Sequence, residues 1–150
     1  MNAPLYTTEI LRLAASLPPG TSLAEPHGRG EKRSATCGSV IRTEVRLDGQ
    51  GRVAEIAQQV QACAFGQASA ALVQGSALGR PAEDMRADRA ALAAWLGGQG
   101  DPPEGFAVLV PARAKTGRHG AMLLSFDALI AALDSAARDP GLRRDDEEKR

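Results

Sequence analysis

Between residues 39 and 62 apolar and polar side chains alternate in two runs separated by a turn. In SVIRTEVRL, Ile41, Thr43, Val45 and Leu47 point one way, while Arg42, Glu44 and Arg46 point the other. That two-residue period belongs to a half-buried strand. DGQG (48–51) supplies a hairpin turn, and RVAEIAQQVQA continues with Ala54, Ile56, Val60 and Ala62 as the matching apolar face. Gln58 is the exception on that face. The pattern predicts an antiparallel hairpin with one wet side.

Elsewhere the period lengthens to that of a helix. Thr7 and Thr8 can cap a helix whose inner face carries Tyr6, Ile10, Leu13, Ala14 and Leu17, and Pro18-Pro19-Gly20 stops it. Residues 20–34 read as a long loop with a short edge strand near its end. Small residues from Gly66 to about Leu78 predict a closely packed helix. Pro81, Glu83 and Asp84 open another, with Met85, Arg89, Leu92, Trp95 and Leu96 at helical spacing before Gly97-Gly98. GQGDPPEG reads as surface loop. Ser125 is expected to cap a last helix bearing Phe126, Leu129, Ile130 and Leu133. The resulting expectation is an α+β fold, a small antiparallel sheet of about three strands covered by helices. One domain would occupy 1–137 and a charged, disordered tail 138–150.

Composition narrows the function. Eighteen basic residues balance eighteen acidic ones, and aromatic residues make up only 3% of the 150. Neither an electrostatic footprint nor a stacking platform for nucleic acid is present. The first residues lack a basic region and read as an amphipathic helix, not a signal peptide. No stretch reaches the length of a membrane span. These features point to a cytoplasmic protein with reduced thiols, so a Cys37–Cys63 disulfide is the weaker reading, which sequence leaves open.

The chain holds two cysteines and two histidines. Cys63 falls just past the second hairpin strand and at the start of a helix, where free N–H groups and the dipole favour a thiolate. Cys37, in SATCGSV, precedes the first hairpin strand and is followed by Gly38. In an antiparallel hairpin these two positions lie at the same end of the sheet. A buried cysteine is also commonly a small hydrophobe without chemistry, and the spacing matches no compact metal motif. His119, in KTGRHGAML, precedes an apolar segment, whereas His27 reads as a solvated loop residue. Neither stands beside an acid, so no nucleophile–base–acid triad assembles. Phosphate loops, H-E-x-x-H and Ca²⁺ loops are missing.

The order of helix, TCGS, hairpin, CAFGQASAALV and RHGAMLLSFDAL resembles the NifU/IscU family of iron–sulfur cluster scaffolds, including its SufU branch. The likeness spans about residues 5–137 and is strongest from Thr36 to Val73. It implies an IscU-like fold and an assembly scaffold, not a turnover enzyme. By that resemblance Cys37 and Cys63 match the first two ligand cysteines and His119 the residue before the third. Gly120 occupies the third cysteine's own place, and Ser39 stands where the family has its Asp. LVPAR (109–113) faintly echoes the family's chaperone-recognition motif.

What remains is two thiolates and one imidazole, a Cys₂His set with one position open. Such a set suits Zn²⁺ or Fe²⁺, while an iron–sulfur cluster wants four ligands. The expected function is cluster-assembly scaffolding through Cys37, Cys63 and His119, with iron or a cluster, or zinc, as cargo. A cysteine desulfurase would be the partner and apo-proteins the recipients. The alternatives are a zinc-dependent persulfide acceptor or relay, and a degenerate member acting as a binding module.

Overall fold

The computed structural model describes residues 6–20, 22–35 and 38–138. Helix α1 (Thr8–Ser16) begins at Thr7, whose hydroxyl accepts from the Ile10 amide at 3.1 Å. Three antiparallel strands follow in the order β1-β2-β3: β1 (Gly28–Arg33), β2 (Val40–Leu47) and β3 (Val53–Gln61). Helices α2 (Ala64–Ser76) and α3 (Ala82–Leu96) come next. Two short 3₁₀ helices (Phe106–Ala112 and Thr116–Arg118) lead into α4 (His119–Arg138). The architecture is α+β, with one sheet face against helices. The charged tail expected from residue 138 lies, beyond Arg138 itself, outside the described residues.

The alternating pattern of β2 is obeyed: Ile41, Thr43, Val45 and Leu47 are all buried. On β3 the expected face shifts by a bulge. Leu47 pairs with Val53 and Arg46 with Glu55, which leaves Ala54 as the extra residue. Val53 therefore turns inward and Ala54 is exposed, while Ile56, Gln58 and Val60 hold the inner face. Gln58 belongs there because α2 offers partners: its amide donates to the Ala70 carbonyl at 2.9 Å and to Gln74 Oε1 at 2.8 Å. On the outer face Arg29 pairs with Glu44 and Arg46 with Glu55, at 2.9 and 3.1 Å. The segment after α1 crosses this face, where the Leu23 amide donates to Glu44.

β1 lies so close to α4 that side chains are excluded. A Cβ at Gly28 would fall 2.0 Å from the Ala132 carbonyl oxygen, and one at Gly30 2.4 Å from that of Ala128. Glycine is what lets this edge strand dock on the helix.

Ser125 does not cap α4. The helix begins six residues earlier, at His119, and Ser125 is fully buried inside it. Its hydroxyl meets Ser69 Oγ of α2 at 3.1 Å, while Ser69 donates to the Met122 carbonyl at 2.7 Å. A tertiary partner replaces the local capping role. The apolar stretch is consequently longer than expected. The helical segment Thr116–Arg138 is long and apolar enough to cross a membrane by length and composition alone, though 56% of its most apolar window is buried within the fold. Phe126, Leu129 and Ala132 belong to the main core with Phe65, Leu92 and Phe106. Phe106 and Leu109, in the first 3₁₀ helix, add to that core from a segment with no regular pattern.

Candidate metal centre

Three chain ends meet at the end of the sheet where β2 begins and β3 finishes. The first is the β1–β2 connection. Val40 pairs with Arg33 and with Gln61, and beyond Arg33 the Ser34 amide donates to the Ser39 carbonyl at 2.8 Å. The Gly38 amide returns to the Ser34 carbonyl at 3.1 Å. Ser34 and Gly38–Ser39 thus hold the connection closed. Cys37 lies within it but outside the described residues. Ser39 is buried at 4% exposure.

The second end is the β3–α2 junction. Cys63 is the N-cap of α2, extended at φ −67° and ψ 172°, and its carbonyl accepts from Gln67 at 2.9 Å. Its side chain makes no capping bond, so the sulfur is not consumed by the helix. Gln67 Nε2 donates to the Ala62 carbonyl at 3.0 Å and so ties the last residues of the strand to the first turn of the helix. Cys63 is a free thiol, half-buried and packed in part against the main core. The positive end of α2, without an acidic residue in its first turn, stands behind it.

The third end is the start of α4. His119 Nε2 lies 2.9 Å from the Arg113 carbonyl oxygen and 3.2 Å from that of Ala112. Carbonyls only accept, so Nε2 carries the proton and Nδ1 keeps its lone pair. Histidine ligands are commonly oriented by such a bond from the opposite nitrogen. The two carbonyls are themselves fixed from α3: Arg113 Nε donates to the Trp95 carbonyl at 2.9 Å and its guanidinium stacks over the Trp95 ring at 5.0 Å. Residues 112 and 113 act through backbone oxygens, which explains why side-chain motifs give no sign of them.

The ends are pressed together by close packing. A Cβ at Gly66, three residues past Cys63, would lie 3.2 Å from the Ala121 carbonyl oxygen and 2.8 Å from the Ala62 Cβ. At Gly120 the neighbouring space is open: among the described residues only Ser34 Oγ comes within 4 Å of a Cβ there, at 3.7 Å. Strand and helix junctions that are distant in sequence thereby share one corner. Among the described residues no group of three His, Cys, Asp or Glu side chains is preassembled. His27 is a correction. It is buried at 4% exposure, and its Nδ1 accepts from the Leu47 amide at 2.8 Å, which makes it a structural residue and not a solvated one.

No protein-family model and no curated protein matches the chain. Solved structures do. The N-terminal NifU-like protein of Brucella abortus superposes with a TM-score of 0.82 at 31% identity, covering 89% of this chain and 95% of that one. A protein of Fervidobacterium islandicum, described as an iron–sulfur cluster assembly scaffold for the SUF system, shares the fold at 18% identity. Its TM-score is 0.73, with 86% of this chain and 96% of that one covered. A hypothetical protein does so at 23% identity and a TM-score of 0.70, over 83% and 96% of the two chains. The identity to the Brucella protein extends over nearly the whole of both chains, and the chain belongs to the NifU/IscU-like family.

Proposed function

We propose that this protein is an iron–sulfur cluster assembly scaffold that holds iron or a nascent cluster through Cys37, Cys63 and His119 and takes its sulfur from a cysteine desulfurase. The reading rests above all on the corner where the β1–β2 connection, the Cys63 junction and the His119 end of α4 meet, within a fold shared with NifU-like proteins. Two thiolates and an imidazole are soft to borderline donors suited to Fe²⁺. Zn²⁺ fits the same set and would compete for it. Three protein donors leave one position open, as cargo that must be loaded and handed on requires. The Cys63 thiol is half-buried at a helix start, and the Nδ1 lone pair of His119 is left available by the bond at Nε2.

The test is metal analysis after anaerobic loading with Fe²⁺. The parent protein should retain about one ion per protomer, Cys63→Ala should retain none, and His119→Ala should bind more weakly, since two ligands hold a divalent ion poorly. Full metal content in Cys63→Ala would overturn the ligand assignment.

A further inference from the structure

Arg113 joins two elements, one through its side chain and one through its backbone. The side chain reaches the C-terminus of α3, where Nε donates to the Trp95 carbonyl at 2.9 Å and the guanidinium lies over the indole at 5.0 Å. Trp95 is buried and its carbonyl also accepts from the Gly98 amide at 2.9 Å, so the acceptor is fixed by the helix end. α3 has no basic residue in its own last turn, and Arg113 supplies the cation that the negative end of a helix favours. The backbone of the same residue holds His119. Nε2 lies 2.9 Å from the Arg113 carbonyl oxygen and 3.2 Å from that of Ala112, which is shared with the Lys115 amide at 2.9 Å. The bond to Arg113 is therefore the principal one. Residues 114–117 between the two are exposed, so the ring takes its orientation from Arg113 and not from packing of the connection.

We infer that Arg113 is a positioning residue for His119: its hold on the end of α3 keeps the ring as the Nε2–H tautomer, with the Nδ1 lone pair presented to an ion. The inference rests on the reading of His119 as a metal ligand given above. A free neutral imidazole exchanges between two tautomers, and only the nitrogen without a proton can bind a metal. A carbonyl anchored through Arg113 to α3 biases that exchange before any ion arrives. Less ordering is then left for the binding step. Arg113 itself touches no ion and acts through His119 alone.

The test has two readouts on parent, Arg113→Met and Arg113→Lys proteins, with folding verified by circular dichroism. Met keeps an apolar stem over Trp95 and removes the donor and the charge, whereas Lys keeps the charge without the planar fork. Nitrogen–proton correlation NMR of the metal-free ring, at alkaline pH where histidine is neutral, reads the tautomer. Anaerobic titration with Co²⁺ alone, followed by its absorption, reads the affinity. The parent should show His119 as Nε2–H. Arg113→Met should show both tautomers and bind Co²⁺ about tenfold or more weakly, and Arg113→Lys should fall between. Lower stability alone would not mix the tautomers of a folded protein. A parent-like tautomer or a parent-like affinity in Arg113→Met overturns the inference while the metal reading stands. So does a parent protein whose His119 is Nδ1–H. A parent that binds no Co²⁺ overturns the ligand reading and this inference with it. If Arg113→Met does not fold, Arg113→Lys decides: parent-like values in both readouts overturn the positioning role.

Discussion

Gly66 of α2 and Ala121 of α4 touch through backbone: a Cβ on the first would stand 3.2 Å from the carbonyl oxygen of the second. This approach holds the Cys63 end of α2 against the His119 end of α4. Gly66→Leu should therefore lower stability by about 1–3 kcal/mol through overpacking and should weaken metal retention as the helices part. Urea unfolding read beside iron content checks both. A variant as stable as the parent would mean that the two helices are not in contact as described.

Gly120 has the opposite surroundings. It is exposed, lies in the first turn of α4 without a positive φ, and has only Ser34 Oγ near its Cβ position among the described residues. Gly120→Cys should be at least as stable as the parent, because it removes a glycine from a helix without a clash. It should also raise the cluster yield on anaerobic reconstitution, by adding a thiolate beside the proposed ligands. An unchanged iron and sulfide content in folded Gly120→Cys protein would separate this chain's present chemistry from its family resemblance.

His27 anchors the other end of the sheet. Removing its ring leaves the buried Leu47 amide without its Nδ1 acceptor, so His27→Ala should cost about 1–3 kcal/mol or more. Metal content should not change. Loss of metal at unchanged stability would instead assign His27 to the site.

Asp48 gives a pH dependence with a defined sign. Its Oδ1 accepts from the Arg52 amide at 3.0 Å and the Gln50 amide at 2.8 Å, and these bonds hold the carboxyl below its ordinary value of 3.8. The unfolded chain protonates first as pH falls. The turn's stabilisation is thus complete above 3.8 and is lost as pH drops through the lower folded value. A carboxyl NMR titration should place the Asp48 midpoint below 3.8, and Asp48→Asn should remove this contribution to acid unfolding. A midpoint at or above the ordinary value would contradict the turn geometry.

The period of β2 was plain in the sequence because every inward residue is apolar or threonine. The bulge at Ala54 was hidden, since alanine is small enough to fit either face and an extra residue leaves no compositional trace. Ser125 carries the local signature of a cap, a serine before an apolar helical run. Its actual partner, Ser69, is 56 residues away and could be identified only by tertiary packing. The same limit applies at the site. Cys63 could be placed from a strand giving way to small helix-forming residues. The carbonyls of Ala112 and Arg113 that hold His119 could not, because a backbone oxygen looks the same in every sequence. His27 misled for a related reason: its loop is rich in Gly and Pro, yet the ring folds under it onto β2.

The corner joins Ser34, Gly38, Ser39, Cys63 and His119, so its parts leave the ribosome in that order and the histidine comes last. Both cysteines are synthesised long before α4 can dock against α2. Domains fold largely as units once enough chain is available. On the proposed ligand assignment, the two thiols would be exposed to oxidants and stray metal throughout that interval. The docking of α4 is then more than the closing of a core: on the proposed ligand assignment, it would set the moment at which the nascent protein could first hold metal.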